Sequence, residues 1–199
     1  QTFRYQYENI IAYQKFVDAL NVSPSEVLEI ESIPFMPIEF FKDFDILAKG
    51  DIVNEVEAVF RSSGTTGMPR SRHLVKDLDV YEKSFTAAFE LFYGPAEEYV
   101  ILALLPSYLE NGDSSLVYMA DHLIKASENA ESGFYLNDYG LLIQKLRKLK
   151  LSSKKVLLLG VSYALLDLIE EEQFDFPKLI IMETGGMKGR RKELIREDL

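Results

Sequence analysis

The sequence predicts an α/β protein with a layered, mostly parallel sheet and helical crossovers. Two observations predict this class. After residue 50, short apolar runs alternate with amphipathic helical segments, which is the order of parallel strands joined by helices. The run over residues 99–105 is continuously apolar, as a strand covered on both faces is. Ligands of such sheets bind beyond the carboxyl ends of strands, so we expect the site near Phe60, Leu105 and Met182.

Residues 1–50 form the first predicted domain, a helical and irregular segment that packs on the core. Apolar residues recur at helical spacing over about residues 5–20 and predict an amphipathic helix. The run 23–26 has serine, proline and glutamate in the order of a capping box, which predicts a short second helix. Prolines interrupt the apolar run 33–41, which therefore predicts a buried, irregular connection.

Residues 51–199 form the second predicted domain, in which strands and helices alternate. One predicted helix carries an aromatic stripe that we expect to face the core, formed by Tyr81, Phe85, Phe89 and Phe92. The apolar runs predict strands at residues 52–60, 73–75, 99–105, 155–159 and 179–182. The amphipathic segments predict helices at residues 79–93, 114–127, 140–150 and 161–171 and from about residue 190.

Charge and composition exclude several classes of function. The chain has a formal net charge of −10, whereas nucleic-acid-binding faces are strongly basic. It has no cysteine, which excludes disulfides, thiolate metal sites and a cysteine nucleophile within these residues. No run approaches ~20 apolar residues, so the sequence predicts no membrane span, and we expect a cytoplasmic protein. His73 and His122 are far apart in sequence, and no metal site is identified.

The residues with the clearest chemical pattern lie at positions 62–70. Glycines there allow the backbone to approach a ligand closely, and successive amides can form a concave anion site. Arginine can hold phosphate oxygens through two parallel hydrogen bonds. The run is neither a Walker A loop nor a dinucleotide fingerprint, because its glycine spacing differs from both. It predicts a polyphosphate-binding loop, with a polar hairpin turn as the alternative, formed by Ser62, Ser63, Gly64, Thr65, Thr66, Gly67 and Arg70.

Residues 59–70 resemble the AMP-binding signature of the adenylate-forming superfamily, which includes acyl-CoA synthetases, luciferases and peptide-synthetase adenylation domains. Every fixed position of that signature is matched, with arginine as the permitted terminal base. Four runs resemble the acyl-protein synthetase family more closely, at residues 105–110, 114–119, 159–167 and 183–194. This family is named for the long-chain-fatty-acid–luciferin-component ligase of bacterial bioluminescence. The resemblance implies that residues 51–199 are a partial adenylation domain with the fold of the N-terminal part of an adenylate-forming enzyme.

The resemblance also implies a reaction and a set of site residues. Such ligases use ATP and Mg²⁺ to form an acyl-adenylate from a carboxylic acid, here a fatty acid, and transfer the acyl group to a thiol. Residues 62–67 and Arg70 would hold the ATP phosphates. Adenine and ribose would lie against Gly185, Gly186 and Met187. The acyl group and its carboxylate would lie near Ser107, Tyr108, Gly160, Val161 and Ser162.

Departures from the superfamily pattern leave alternatives open. The motif that handles the α-phosphate and Mg²⁺ is not found, nor is the lid lysine, so the catalytic residues stay unidentified. We expect that the chain ends before those motifs and is inactive alone. By the same resemblance, the thiol acceptor would be a protein cysteine, a carrier protein or coenzyme A, and a reductase would be a further partner. The alternatives are an aryl- or acyl-CoA ligase of the same superfamily and a non-catalytic nucleotide- or partner-binding module.

Overall fold

The computed structural model describes residues 1–62, 69–105, 112–136, 138–185, 187 and 191. The chain divides into two compact units, Gln1–Leu78 and Asp79–Leu199. This division does not coincide with the boundary expected after residue 50. The reason is that the strands before residue 78 pair with each other and contact the N-terminal segment, where the His73 ring stacks on Phe41.

The N-terminal unit begins with two short helices, α1 (Thr2–Asn9) and α2 (Ile11–Ala19), where one helix was predicted. Ile10 separates them because its backbone is extended, with φ −110° and ψ 108°. A small apolar cluster joins the two helices around Phe3, Tyr13 and Val17. The Tyr13 hydroxyl donates a hydrogen bond of 2.8 Å to the carbonyl of Pro34, which ties the irregular connection to α2.

The helix predicted from the capping-box pattern is wrong. The amide of Glu26 donates to the Ser23 carbonyl at 3.0 Å, which closes a turn. The Ser23 and Ser25 hydroxyls bond to each other at 2.8 Å. Val27 packs against the N-terminal cluster, whereas Leu28 and Ile30 are exposed. The segment therefore buries little apolar surface to offset the nucleation cost of a helix. The connection then contains one helical turn, α3 (Phe40–Asp43).

An antiparallel hairpin completes the N-terminal unit. Its strands are β1 (Ala58–Arg61) and β2 (Arg72–Val75), in a register that runs from Ala58 opposite Val75 to Arg61 opposite Arg72. The returning strand is confirmed, whereas the first strand starts later than predicted because a 3₁₀ turn occupies Val53–Glu55. The pair forms its own two-stranded sheet, so these strands are not part of the parallel sheet.

The second unit contains a four-stranded parallel sheet, which confirms the α/β class. Its strands are β3 (Tyr99–Leu104), β4 (Gly133–Phe134), β5 (Lys155–Val161) and β6 (Leu179–Thr184). They lie in the order β4-β3-β5-β6, and every pair is parallel. The two-residue β4 was not predicted, because its glycine and its length give no periodic signal.

Helices connect the strands of the second unit and cover the sheet. They are α4 (Leu78–Tyr93), α5 (Ser115–Ala126), α6 (Tyr139–Lys150) and α7 (Ser162–Glu171), close to the predicted bounds. Leu157 and Leu159 of β5 point toward α4 and α5, whereas Leu158 points toward α7. The alternation of side chains along the strand therefore places helices on both faces. The region after residue 190 that was predicted as a helix lies outside the described residues.

The aromatic stripe of α4 is confirmed in part. Phe85 and Phe89 are buried, and the Tyr81 ring packs edge-on against Phe85 at 5.0 Å. Phe92 is 77% exposed, so its predicted inward orientation is wrong. In the last turn of the helix it is Tyr93 whose ring packs against Phe89, at 5.2 Å. Along the described ranges, no helix combines the length and the apolar content that crossing a membrane requires.

Candidate functional site

The predicted phosphate loop connects β1 to β2, and Ser62 closes its base. The amide of Ser62 donates to the Ser71 carbonyl at 3.2 Å, and the amide of Ser71 donates to the Ser62 hydroxyl oxygen at 3.1 Å. Ser71 is buried. The Ser62 hydroxyl acts here as an acceptor, so its proton is still able to bond another acceptor. The five following predicted residues, Ser63, Gly64, Thr65, Thr66 and Gly67, lie outside the described residues.

Arg70 folds back across the base of the same loop. Its Nε donates to the carbonyl of Ser62, and a terminal nitrogen lies 3.4 Å from the carbonyl of Arg61. The side chain is exposed to solvent. Holding a phosphate would require the guanidinium to exchange these neutral carbonyls for an anion, which forms a stronger charge-assisted hydrogen bond.

Two contacts hold the hairpin on the N-terminal segment. The His73 ring stacks on Phe41 with centroids 4.4 Å apart and an interplanar angle of 24°. Arg72 forms an ion pair of 2.7 Å with Asp45. These contacts give His73 and Arg72 a structural role in positioning the loop, and Arg70 is the predicted phosphate-binding cation at its base.

The second group of predicted residues lies at the carboxyl edge of the parallel sheet. Leu104 of β3 is opposite Gly160 of β5, and Gly160 is opposite Glu183 of β6. Because the three strands are parallel and in this register, their carboxyl ends meet at one edge, where ligands of α/β sheets bind. Ser107 and Tyr108, predicted at this edge after β3, lie outside the described residues.

Gly185 directly follows β6, and its backbone has the positive φ of 49° that favours glycine. Among the described residues, no atom outside its chain neighbours lies within 4 Å of a Cβ built on Gly185. Met187, predicted beside the adenine and ribose, is 2% exposed and belongs to the hydrophobic core of the second unit. Gly186 lies outside the described residues.

The predicted acyl-side residues at the end of β5 and the start of α7 are all buried. A Cβ on Gly160 would lie 2.8 Å from the Cγ and Cδ2 atoms of Leu165 and 3.3 Å from the Cβ of Leu104. Gly160 therefore allows α7 to pack closely on the sheet. Val161 is fully packed, and the buried hydroxyl of Ser162 donates a hydrogen bond to the carboxylate of Glu183.

Ser162 and Glu183 line one cavity of about 470 Å³ in the second unit. Its other walls are apolar and come from β5, α7, the segment after α7 and β6, including Leu158, Leu165, Phe174 and Ile181. The size and the apolar lining are typical of small-molecule pockets. Sequence reasoning did not single out Glu183, although a carboxylate at the end of an apolar strand, two residues before a glycine, is a signal that could have found it.

A resident metal ion would need several ligand side chains grouped together. Within the part of the chain that the structure describes, no three His, Asp or Glu side chains lie close enough together to hold an ion. Mg²⁺ in nucleotide sites is bound mainly by phosphate oxygens and water, with one or two carboxylates. Glu183 lies at the carboxyl edge of the sheet, and its carboxylate accepts a hydrogen bond from Ser162.

Comparison with known proteins gives no relative for this chain: no family model, curated protein or solved structure matches it.

Proposed function

We propose that this chain carries the ATP phosphate loop and part of the substrate wall of an adenylate-forming acid–thiol ligase. The enzyme would activate a carboxylic acid as its acyl-adenylate and pass the acyl group to a thiol. The observation that carries the proposal is the run of glycine, serine, threonine and arginine at residues 62–70, between two strands whose open end is closed by Ser62 and Arg70.

The chemistry of adenylation explains what this loop would contribute. The substrate carboxylate attacks the α-phosphorus of ATP, the new C(O)–O–P bond forms, and pyrophosphate leaves with the electrons of the broken P–O bond. The protein itself takes little part in making or breaking these bonds, so catalysis depends on positioning the reactants and on neutralising the phosphate charge. Backbone amides, hydroxyls and Arg70 would hold the β- and γ-phosphates, and Mg²⁺ would neutralise further charge.

The cavity beside Ser162 supports a fatty acid as the substrate. Apart from Ser162 and Glu183, its lining is apolar, and burying each methylene of a hydrocarbon chain contributes about 0.8 kcal/mol. Glu183 is itself a carboxylate, so the cavity suits the uncharged hydrocarbon better than the charged head of the acid. The carboxylate of the substrate would lie outside the cavity, toward the carboxyl edge of the sheet.

The test is ATP–pyrophosphate exchange by the full-length gene product, with straight-chain acids from butyrate to palmitate and a matched series of aryl acids. We expect exchange that increases with chain length. Arg70→Ala, and separately Thr65→Ala with Thr66→Ala, should reduce exchange by ~10²-fold or more, because each removes donors to the β- and γ-phosphates that leave as pyrophosphate.

The matched control is Arg4→Ala. Arg4 is also an exposed arginine whose guanidinium donates to a backbone carbonyl, that of Pro24 at 3.4 Å. This variant should exchange pyrophosphate at the wild-type rate. Circular dichroism should show the same helix content in all variants. Exchange that persists in Arg70→Ala would remove the loop from the mechanism, and ATP binding without exchange for any acid would indicate a non-catalytic nucleotide-binding module.

A further inference from the structure

The N-terminal unit has an apolar groove that the proposed function does not use. Two cavities, of about 540 Å³ and 240 Å³, share Phe3 and Ile33 as walls. The two cavities are therefore adjacent along α1, and we call them together the α1 groove. Its larger part is lined by Met36 and Phe41 and its smaller part by Val27.

Large apolar side chains on the wall of the α1 groove are open to solvent. Leu28 is 84% exposed, and Ile30 and Phe35 are each 71% exposed. The bond from the Tyr13 hydroxyl to the Pro34 carbonyl fixes the backbone directly before Phe35, so this segment is held in place. Clustered exposed apolar side chains along a groove mark interaction sites more often than scattered ones do.

The chain segment that contributes one wall of the α1 groove is rich in acidic residues. Residues 26–57 contain nine acidic residues and two basic ones. Glu29 lines the smaller cavity, and Glu31 lies between Ile30 and Ile33 in the chain. Neither glutamate forms an ion pair with any other described residue. Arg4 also lines the smaller cavity and keeps its positive charge, because its bond is to the neutral carbonyl of Pro24.

We propose that the α1 groove docks a basic amphipathic segment of a partner protein. Its apolar residues would enter the groove at helical spacing, and its lysine or arginine side chains would meet Glu29 and Glu31. Grooves of this kind bind one face of a helix through anchors at i, i+3, i+4 and i+7. A second copy of this chain would bring the same acidic rim and a net charge of −10, and an anionic membrane would be repelled. The charge thus favours a basic protein partner over both.

The probe is a synthetic amphipathic peptide with leucine at i, i+3, i+4 and i+7 and lysine at its polar positions, measured by fluorescence anisotropy. Two peptides serve as comparisons: one with glutamate in place of each lysine, and one with the same composition but leucines on all sides of the helix. We expect the first peptide to bind at least ~tenfold more tightly than either comparison, and its affinity to fall with added salt.

Two variants locate the binding surface. Leu28→Ser with Phe35→Ser should weaken binding of the lysine peptide by ~tenfold or more, because exposed anchors of an interface contribute most of its affinity. The matched control is Leu91→Ser with Phe92→Ser, which removes a leucine and a phenylalanine of similar exposure, 78% and 77%, from α4. The control should bind as the wild type does.

The acidic rim has its own variant pair. Glu29→Gln with Glu31→Gln should weaken binding of the lysine peptide by ~threefold and reduce the salt dependence of its affinity. The matched control is Glu97→Gln with Glu171→Gln, which changes two exposed acids of the second unit. This control should change neither the affinity nor its salt dependence. Equal binding of all three peptides, or an unchanged affinity in the Leu28/Phe35 variant, would overturn the proposal. So would sedimentation of the wild type as a dimer that this variant converts to a monomer, or binding to phosphatidylglycerol vesicles that this variant abolishes.

Discussion

Gly160 has no side chain, and this allows Leu165 of α7 to pack directly against the backbone of β5. A Cβ there would lie 2.8 Å from the Cγ of Leu165, closer than side chains pack. We expect Gly160→Ala to lower the free energy of unfolding by ~1–3 kcal/mol, the cost of overpacking a core. Urea denaturation, followed by circular dichroism, measures the change.

Gly140→Ala is the matched control for Gly160. Gly140 lies in α6, and the nearest atom to its added Cβ is Asp138 Oδ1 at 3.9 Å, so this variant should be unchanged or more stable by ~0.5–1 kcal/mol. Adding Leu165→Ala to Gly160→Ala removes the clashing atoms and should make the first substitution less costly. If Gly160→Ala were as stable as the wild type, close packing would not explain the glycine.

A substitution at Ile181 tests whether the cavity beside Ser162 holds the hydrocarbon chain of the substrate. It lines the cavity from β6 and is 58% exposed, so a larger side chain can be accommodated without disrupting the core. Ile181→Trp should fill part of the cavity and shorten the longest straight-chain acid that supports ATP–pyrophosphate exchange. Leu91→Trp, on α4, should leave the chain-length profile as it is. An unchanged profile in Ile181→Trp would place the hydrocarbon elsewhere.

At the scale of elements, α6 is joined to the segment before β4 through one carboxylate. Glu131 accepts hydrogen bonds from Lys145 and from Lys148, the latter at 2.7 Å. These bonds lower the pKa of Glu131 from its ordinary 4.5 to about 2. A lowered pKa in the folded state means that the contribution to stability is complete above pH 4.5 and is lost as the pH falls toward 2.

Glu131→Gln isolates this effect, because Glu170 and Glu172 also have lowered pKa values and the wild type alone would report all three groups. We expect the wild type to be more stable than Glu131→Gln at pH 6, and the difference to shrink at pH 3. Urea unfolding at both pH values measures it. The exposed Glu97→Gln, which no described residue pairs with, should show no such change. A difference that stayed constant with pH would mean that the carboxylate charge is not what joins these elements.

The elements that the sequence predicts well are those with a long hydrophobic pattern. The strands β3, β5 and β6 and the helices α4 to α7 follow from local periodicity, and the structure contains each of them. The break at Ile10 has no proline or glycine to mark it. The capping box at Ser23 has the right residues but little buried apolar surface after it, because Leu28 and Ile30 stay exposed. A local sequence signal therefore leads to a helix only where the helix can also bury an apolar face.

The candidate site was less predictable than the elements, because its contacts join residues far apart in the chain. The polar residues of the loop at 62–70 are a local signal in the sequence, and the phosphate site that they indicate stays a prediction. By contrast, Ser162 meets Glu183 only because β5 and β6 are neighbours in the sheet. Likewise, the burial of Gly160 under Leu165 depends on how α7 packs. Neither contact can be derived from spacing along the sequence.

At the scale of the whole chain, the two units have separate cores of unequal size. The cluster of the N-terminal unit has three buried side chains, Phe3, Tyr13 and Val17, whereas the second unit has an extensive core around β3 and β5. Cores that do not share residues can unfold separately. Since hydrophobic stabilisation grows with buried apolar area, we expect the N-terminal unit to open at a lower free energy than the second.

Native-state hydrogen exchange with mass spectrometry tests this independence through one variant in each core. Val17→Ala, at a fully buried position, should cost roughly 2 kcal/mol and speed exchange in peptides from α1 and α2 alone. Leu102→Ala, equally buried in β3, should cost ~2–5 kcal/mol and speed exchange in β3, β5 and β6 alone. If either variant accelerated exchange equally in both units, the chain would unfold as one cooperative body. Stabilisation of the second unit would then contribute to holding the phosphate loop in place.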